Sequence, residues 1–207
     1  MKISIGVVAD ARRAGVGVAL AEQVGADWIS VDDGTAGCAQ NHAAVWKWHR
    51  DNPADWHVVL EDDAVPVDGF RDQLTQALQA APAPIVSLYL GRGYIDDRAT
   101  AAVLTRADLL DTNWLVTQGG IRHAVALAVR ADLLPALVDN LPTRDQAIDR
   151  TLSLWARRDG HQVAYSNPSL VDHADGESLV TRYRRAERRA WRAGTRDAWC
   201  DKMMAMI

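Results

Sequence analysis

Several signals that would place a protein in a well-defined class are missing from this sequence. Cysteine occurs only twice, as Cys38 and Cys200, and two distant thiols form neither a disulfide framework nor a zinc site. Gly15 and Gly17 lack the third glycine of a dinucleotide-binding fingerprint, which excludes a nicotinamide cofactor. No Gly-x-Ser-x-Gly nucleophile elbow is present. We interpret Cys38, in an expected packed helix, as a buried inert thiol.

Long apolar runs are also absent. No stretch of about 18 or more apolar residues exists, so the sequence predicts no membrane span. The apolar run at the N-terminus is interrupted by Asp10, Arg12 and Arg13. We therefore interpret it as a buried first strand and not as a signal peptide, and we expect a cytoplasmic protein.

The patterns that are present predict an α/β fold. With 207 residues, of which 48% are apolar, the chain has the length and composition of one domain, 1–207. Apolar runs at 3–8, 28–31, 56–60 and 85–90 read as strands, and they alternate with helical patterns at 14–24, 39–50 and 69–80. Such alternation predicts an open mixed sheet, mostly parallel, with helices on both faces.

The most informative motif is the acidic triplet Glu61-Asp62-Asp63, which directly follows an expected buried strand. Adjacent carboxylates repel one another, and a bound cation would relieve that repulsion. Magnesium and manganese prefer oxygen ligands and also bind phosphate. Asp10 and Asp32 likewise follow strands, and ligands of such sheets lie at strand carboxyl ends. The alternative interpretation is a solvated acidic turn before the next helix.

Two arginines and two histidines are further candidates. Arg12 or Arg13 could meet a diphosphate through charged hydrogen bonds; the alternative, favoured for either arginine taken singly, is a surface arginine pair. His42, at the start of a helix, and His173, near the end of the chain, could be ligands together with distant acids. A structural or solvated histidine is the alternative for each.

The order of these motifs resembles glycosyltransferase family 25, which includes lipooligosaccharide and collagen galactosyltransferases. Residues 34–42, ending in Gly37-Cys38-Ala39-Gln40-Asn41-His42, resemble its Gly-Cys-x-x-Ser-His helix, although Asn41 replaces the serine. Leu60-Glu61-Asp62-Asp63 resembles its Leu-Glu-Asp-Asp block. Similar blocks follow in family order at 124–134, 147–152 and 168–178.

The resemblance implies a GT-A type fold, a nucleoside-diphosphate sugar donor, a Mn²⁺ or Mg²⁺ ion and an inverting mechanism. Asp63 would be the main metal ligand, with Glu61 and Asp62 holding ribose, sugar or metal-bound water, and Asp10, Arg12 and Arg13 near the nucleotide. We place His42 among the cofactor-binding residues and His173 with Glu61 and Asp63 at the metal.

Asp149 is our candidate for the base that deprotonates the acceptor hydroxyl, because it opens an expected helix after a loop. An ordinary first-turn acid, favoured by the helix dipole, is the alternative.

A basic segment ends the chain. Residues 178–199 contain seven arginines against Glu187 and Asp197, which gives +5; since the chain as a whole has −4, the remainder has −9. The spacing predicts a helix with a cationic face. This face would serve a glycan, protein or modified nucleic-acid acceptor, or it would fold back onto the acidic body.

The sequence also fits two other functions: a metal-dependent nucleotidyltransferase or phosphohydrolase, and a non-catalytic module that binds nucleic acid.

Overall fold

The computed structural model describes residues 1–92, 97–142, 146–174 and 188–206. The strands, in chain order, are β1 Ile3–Asp10, β2 Trp28–Asp32, β3 Trp56–Glu61, β4 Ala64–Pro66, β5 Ile85–Ser87, β6 Trp114–Thr117, β7 Ala126–Arg130, β8 Val163–Ser166, β9 Val171–His173 and β10 Met203–Ala205. The helices are α1 Ala14–Val24, α2 Cys38–Asp51, α3 Phe70–Gln79, α4 Asp97–Leu109, α5 Leu134–Asp139 and α6 Ile148–Arg158.

Eight strands form one sheet in the order β10-β6-β8-β5-β7-β3-β1-β2, and β4 pairs with β9 in a separate small sheet. In the large sheet β2, β1 and β3 run parallel, as do β5 with β8 and β6 with β10, whereas β7 is antiparallel to both of its neighbours. The predicted α/β class, with an open, mostly parallel mixed sheet, is confirmed.

Helices cover both faces of this sheet, as predicted. Leu20 of α1 and Phe70 and Leu74 of α3 pack into the core on one face. On the other face, Trp46 of α2 and Trp155 of α6 pack with residues of α4 and α5. The first strand is buried, since Ile5 and Val7 have no exposed surface.

The predicted helix over 178–199 is wrong for its described part. Residues 188–199 run as irregular chain along the body and contain no helix; residues 178–187 lie outside the described residues. Arg192 pairs with Asp108 of α4, and Arg196 Nη1 lies 2.8 Å from Asp111 Oδ1. These long-range ion pairs with the acidic body replace the expected solvated helical face.

The packing of α1 onto β1 depends on a glycine. A Cβ atom on Gly17 would lie 2.6 Å from Ala9 Cβ, whereas one on Gly15 would meet nothing within 4 Å. We expect Gly17→Ala to destabilise the protein by about 1–3 kcal/mol through overpacking. Gly15→Ala, on the same helix, should be neutral or stabilising by up to about 1 kcal/mol. Denaturant unfolding measures both, and equal effects would contradict this packing.

His49, a buried residue of α2, makes the stability depend on pH. Its Nε2 lies 3.1 Å from the Val58 carbonyl oxygen and its Nδ1 3.2 Å from Ser4 Oγ, which satisfies a neutral ring. Burial, with the nearby His57, lowers the pKa of His49 to about 4.

Between pH 6.5 and 4 the unfolded chain therefore takes up a proton at His49 that the folded chain does not, so stability falls as pH falls. We expect His49 to account for about 2 kcal/mol of the loss in unfolding free energy between pH 7 and 5. His49→Gln should remove this share of the loss, which denaturant unfolding of both proteins at the two pH values measures. The difference between pH 7 and 8, where the ring is mostly neutral in both states, serves as control. An unchanged pH 7-to-5 difference in the variant would refute this role.

Candidate functional site

The acids predicted from the sequence meet at one edge of the sheet. β3 lies between β1 and β7, so its carboxyl end, Glu61, lies beside the carboxyl end of β1. Asp62 continues from β3 and accepts a hydrogen bond from the backbone N–H of Asp10 at 2.9 Å. The parallel register thus fixes the triplet against the loop that follows β1.

The far end of the chain returns to this edge through the small sheet. Its antiparallel register pairs Ala64 with His173, and Ala174 N–H donates to the Asp63 carbonyl oxygen. Asp63 Oδ2 consequently lies 3.3 Å from His173 Nε2 and 3.2 Å from Arg13 Nη1. Arg13 Nη1 also lies 3.5 Å from Asp62 Oδ1.

The two aspartates of the triplet have different protonation tendencies. Burial raises the pKa of Asp62. Burial acts in the same direction on Asp63, but the hydrogen bond with His173 and the charges of His173 and Arg13 outweigh it and lower the pKa of Asp63. Asp63 is therefore the member of the pair that its surroundings hold as a carboxylate.

Glu61 has a separate partner. His42 is 1% exposed, and its Nε2 lies 3.0 Å from Glu61 Oε1. Burial would lower the pKa of His42, but hydrogen bonding with Cys38 and Glu61 outweighs it and raises the pKa to about 9. The neighbouring Asn41 is buried and donates to the carbonyl oxygens of Ala9 and Ser30, which joins α2 to β1 and β2.

A cleft of about 370 Å³ opens beside these residues. Its walls come from α2, β3, the loops around β5 and β7, the start of α6, β9 and the last described segment: Cys38, Glu61, Tyr89, His123, Ala124, Val125, Gln146, Ala147, Ile148, Asp149, His173 and Arg188. Acids, histidines and an arginine from distant parts of the sequence therefore face one space.

Asp149 lies in the first turn of α6 on the wall of this cleft. Burial raises its pKa, and the negative charge of Glu61 adds to the effect, against a hydrogen bond from the Arg150 N–H that lowers it. The structure thus places the candidate base in the cleft that Glu61 and His173 also line.

Of the predicted site residues, Arg12 lies apart from the triplet. Its side chain is 63% exposed and forms two hydrogen bonds, of 2.8 and 2.7 Å, with the Asp10 carboxylate. This pairing lowers the pKa of Asp10 to about 2. Arg12 and Asp10 therefore satisfy each other, and Arg13 is the arginine of this loop that reaches the acids.

Side chains of the protein itself already contact all three carboxyl groups of the triplet, which corrects the expectation from the sequence. The repulsion within the triplet does not require a bound cation, because Arg13, His42 and His173 already lie against its three carboxyl groups. One acceptor is left over: Asp63 Oδ1 is buried and has no hydrogen-bond partner among the described residues.

Sequence reasoning missed four residues of the cleft: Cys38, Tyr89, His123 and Arg188. The interpretation of Cys38 as a buried thiol is wrong, since its side chain is exposed and lines the cleft. The spacing of Cys38 and His42, four residues apart in an expected helix, was the available signal, because such residues share a helical face. Nothing local marks Tyr89 or His123, and the basic composition of residues 178–199 does not by itself place Arg188 in the cleft.

No protein-family model matches the chain, and no curated protein matches it either. Solved structures do overlap with much of it, and three of them illustrate the similarity. A protein of Bacillus anthracis assigned as a glucose-1-phosphate thymidylyltransferase, in complex with a sucrose, has 10% identity and a TM-score of 0.45, with 79% of this chain and 86% of that chain covered.

Protein A197 from STIV has 9% identity and a TM-score of 0.48, with 82% and 85% covered. A glycosyltransferase involved in the glycosylation of the major capsid of PBCV-1 has 9% identity and a TM-score of 0.36, with 84% and 94% covered. Such low identities and TM-scores transfer neither an activity nor a ligand to this chain.

As for membranes, none of the helices in the described parts of the chain combines the length and apolar character needed to cross one.

The two arginines of the first loop provide a matched test of the site geometry. Arg13→Ala removes the cation shared by Asp62 and Asp63, and we expect a loss of about 1–3 kcal/mol because partly buried carboxylates lose their partner. Arg12→Ala removes only an exposed pair with Asp10, so we expect a change within about 1 kcal/mol. Denaturant unfolding at pH 7 compares the variants; a larger loss from Arg12→Ala would contradict the arrangement.

Proposed function

We propose that this protein is a metal-dependent glycosyltransferase, which moves a sugar from a nucleoside-diphosphate sugar to an acceptor hydroxyl in the cleft beside Glu61. One observation carries the proposal: two carboxylates, Glu61 and Asp149, face the same cleft as His173 and Arg188. A reaction that expels a diphosphate and deprotonates a hydroxyl uses cationic groups and a carboxylate within reach of one substrate.

The acidic end of β3 fits a hard divalent ion such as Mn²⁺ or Mg²⁺. These ions are commonly held by one or two carboxylates and otherwise by water and substrate phosphates. Asp63 would be the principal ligand, since its pKa is lowered and Oδ1 is unengaged among the described residues. Glu61 and His173 would be further ligands. When bound, the ion would help neutralise the charge that develops on the leaving diphosphate.

The chain supplies other cations near the same position. Arg13 lies against Asp62 and Asp63, and Arg188 lines the cleft. Arginine binds phosphate through charge-assisted hydrogen bonds in a planar fork. In the proposed complex these side chains orient the diphosphate, while Asp10 and Asp62 fix the loop after β1 through the bond between the Asp10 N–H and Asp62.

Asp149 is suited to accept the proton of the acceptor hydroxyl. Its raised pKa makes it a stronger base than an ordinary aspartate. An inverting displacement needs the acceptor to approach from the side opposite the leaving diphosphate. We accordingly assign the α6 side of the cleft to the acceptor and the β3–β9 side to the donor.

The described part of the basic segment, residues 188–199, lends no support to a nucleic-acid acceptor. Arg192 and Arg196 form ion pairs with Asp108 and Asp111 of the body, and Arg196 Nε also donates to the Asn167 carbonyl oxygen. These contacts tie residues 188–199 to the fold. The acceptor in our proposal is a sugar or protein hydroxyl that fits beside Asp149.

The proposal is tested by measuring release of nucleoside diphosphate from a panel of nucleotide sugars with Mn²⁺, with and without sugar acceptors. We expect acceptor-dependent release for one donor class. In that assay Asp149→Asn should lower the rate of transfer by about 10²–10⁴-fold, which is the usual contribution of a general base. The affinity for the donor should be largely unchanged. Asp68→Asn, at an exposed acid beyond β4, is the control and should match the wild type.

Two outcomes would overturn the proposal. Release of pyrophosphate from a nucleoside triphosphate and a sugar phosphate would indicate a nucleotidyltransferase instead. Full transfer activity in folded Asp149→Asn would remove the assigned base.

A further inference from the structure

Three potential metal ligands of different chemistry converge at one wall of the cleft. Cys38 Sγ, a ring nitrogen of His42 and a carboxylate oxygen of Glu61 all lie within 4.8 Å of one another. From this convergence we propose that Cys38, His42 and Glu61 form a second metal site, selective for a zinc-class transition-metal ion and separate from the Asp63 end of the triplet.

The local fold prepares two of the ligands. Cys38 is the first residue of the 14-residue helix α2, and His42 follows four residues later. Residues four apart lie on the same face of a helix, which is the spacing by which helices present paired ligands to a metal. Cysteine binds metals as the thiolate, so metal binding here would release the Cys38 thiol proton.

The third ligand comes from the sheet. Glu61 ends β3, and its Oε1 lies 3.0 Å from His42 Nε2. Zinc binds nitrogen and oxygen at about 2.0–2.2 Å, so two of its ligand atoms lie roughly 3 to 3.5 Å apart. The His42–Glu61 separation already has this size, so little movement of these two side chains is required.

The same distances argue against a nucleophilic relay of the cysteine–histidine–acid kind. In a relay the two partners bond opposite nitrogens of the imidazole, which places them roughly 8 Å apart. Here the Cys38 sulfur and a Glu61 oxygen are within 4.8 Å of each other. Both therefore lie on the same side of the His42 ring, which is the arrangement of a chelate.

The ligand set selects the class of metal. Thiolate and imidazole favour zinc and related borderline ions, whereas magnesium and manganese prefer oxygen ligands. His42 is buried, while Cys38 and Glu61 line the cleft. A tetrahedral ion with these three ligands would keep its fourth position open toward the cleft, as zinc sites do that contact a substrate.

This site does not depend on the proposed reaction. Glu61 belongs to both sites, but Cys38 belongs only to this one and Asp63 only to the other. Metal binding to Cys38 can therefore be detected by spectroscopy whether or not the protein transfers a sugar.

Cobalt titration tests the site, because Co²⁺ replaces zinc and reports a bound thiolate through a sulfur-to-cobalt charge-transfer band. We expect one equivalent of Co²⁺ to produce this band together with the visible bands of tetrahedral geometry, and zinc to displace them. A phosphine reductant, without thiols, would keep both exposed cysteines reduced.

Cys38→Ser should abolish the band, whereas Cys200→Ser, which alters the other exposed cysteine, should retain it. Glu61→Gln should weaken Co²⁺ binding by about tenfold or more. Asp63→Asn should keep the band, which distinguishes this site from the metal assigned to the reaction. No band in the wild type, a band retained in folded Cys38→Ser, or a band lost in Asp63→Asn would overturn the proposal.

Discussion

Three consecutive carboxyl groups at the end of a buried strand are the constraint on which the rest of the structure depends. Asp62 is 7% exposed, and burying a charge without a partner costs several kcal/mol. The chain supplies partners from three elements: Arg13 before α1, His42 on α2 and His173 on β9. These three contacts bring the loop after β1, helix α2 and strand β9 together at the end of β3.

The cleft follows from that arrangement. β9 pairs with β4 and brings His173 to Asp63, so the segment after β8 returns to the carboxyl end of β3. The start of α6 closes the other side with Asp149. His173 of β9, Arg188 and Asp149, a carboxylate with a raised pKa, line this one space, and our assignment of donor and acceptor sides is based on that lining.

Local patterns predict the fold better than they predict the site. The helix at 14–24 and the strands near residues 3, 28 and 56 follow from hydrophobic periodicity and form where expected. Three-residue strands such as β4 and β9 carry no usable periodicity, since pairing with distant residues creates them. The arginines of the tail have helical spacing, but their ion pairs with Asp108 and Asp111 are long-range and override it. In the same way, the triplet is visible in the sequence, whereas Arg188 and Tyr89 join the cleft only through tertiary folding.

The central claim is that this cleft binds a nucleoside diphosphate together with a divalent ion. Isothermal titration of the common nucleoside diphosphates, with and without Mn²⁺, tests it most directly. The account predicts that one of them binds with one-to-one stoichiometry and that Mn²⁺ strengthens its binding at least tenfold, or about 1.4 kcal/mol. Absence of binding by every nucleoside diphosphate in the presence of Mn²⁺, or affinities that Mn²⁺ leaves unchanged, would contradict it.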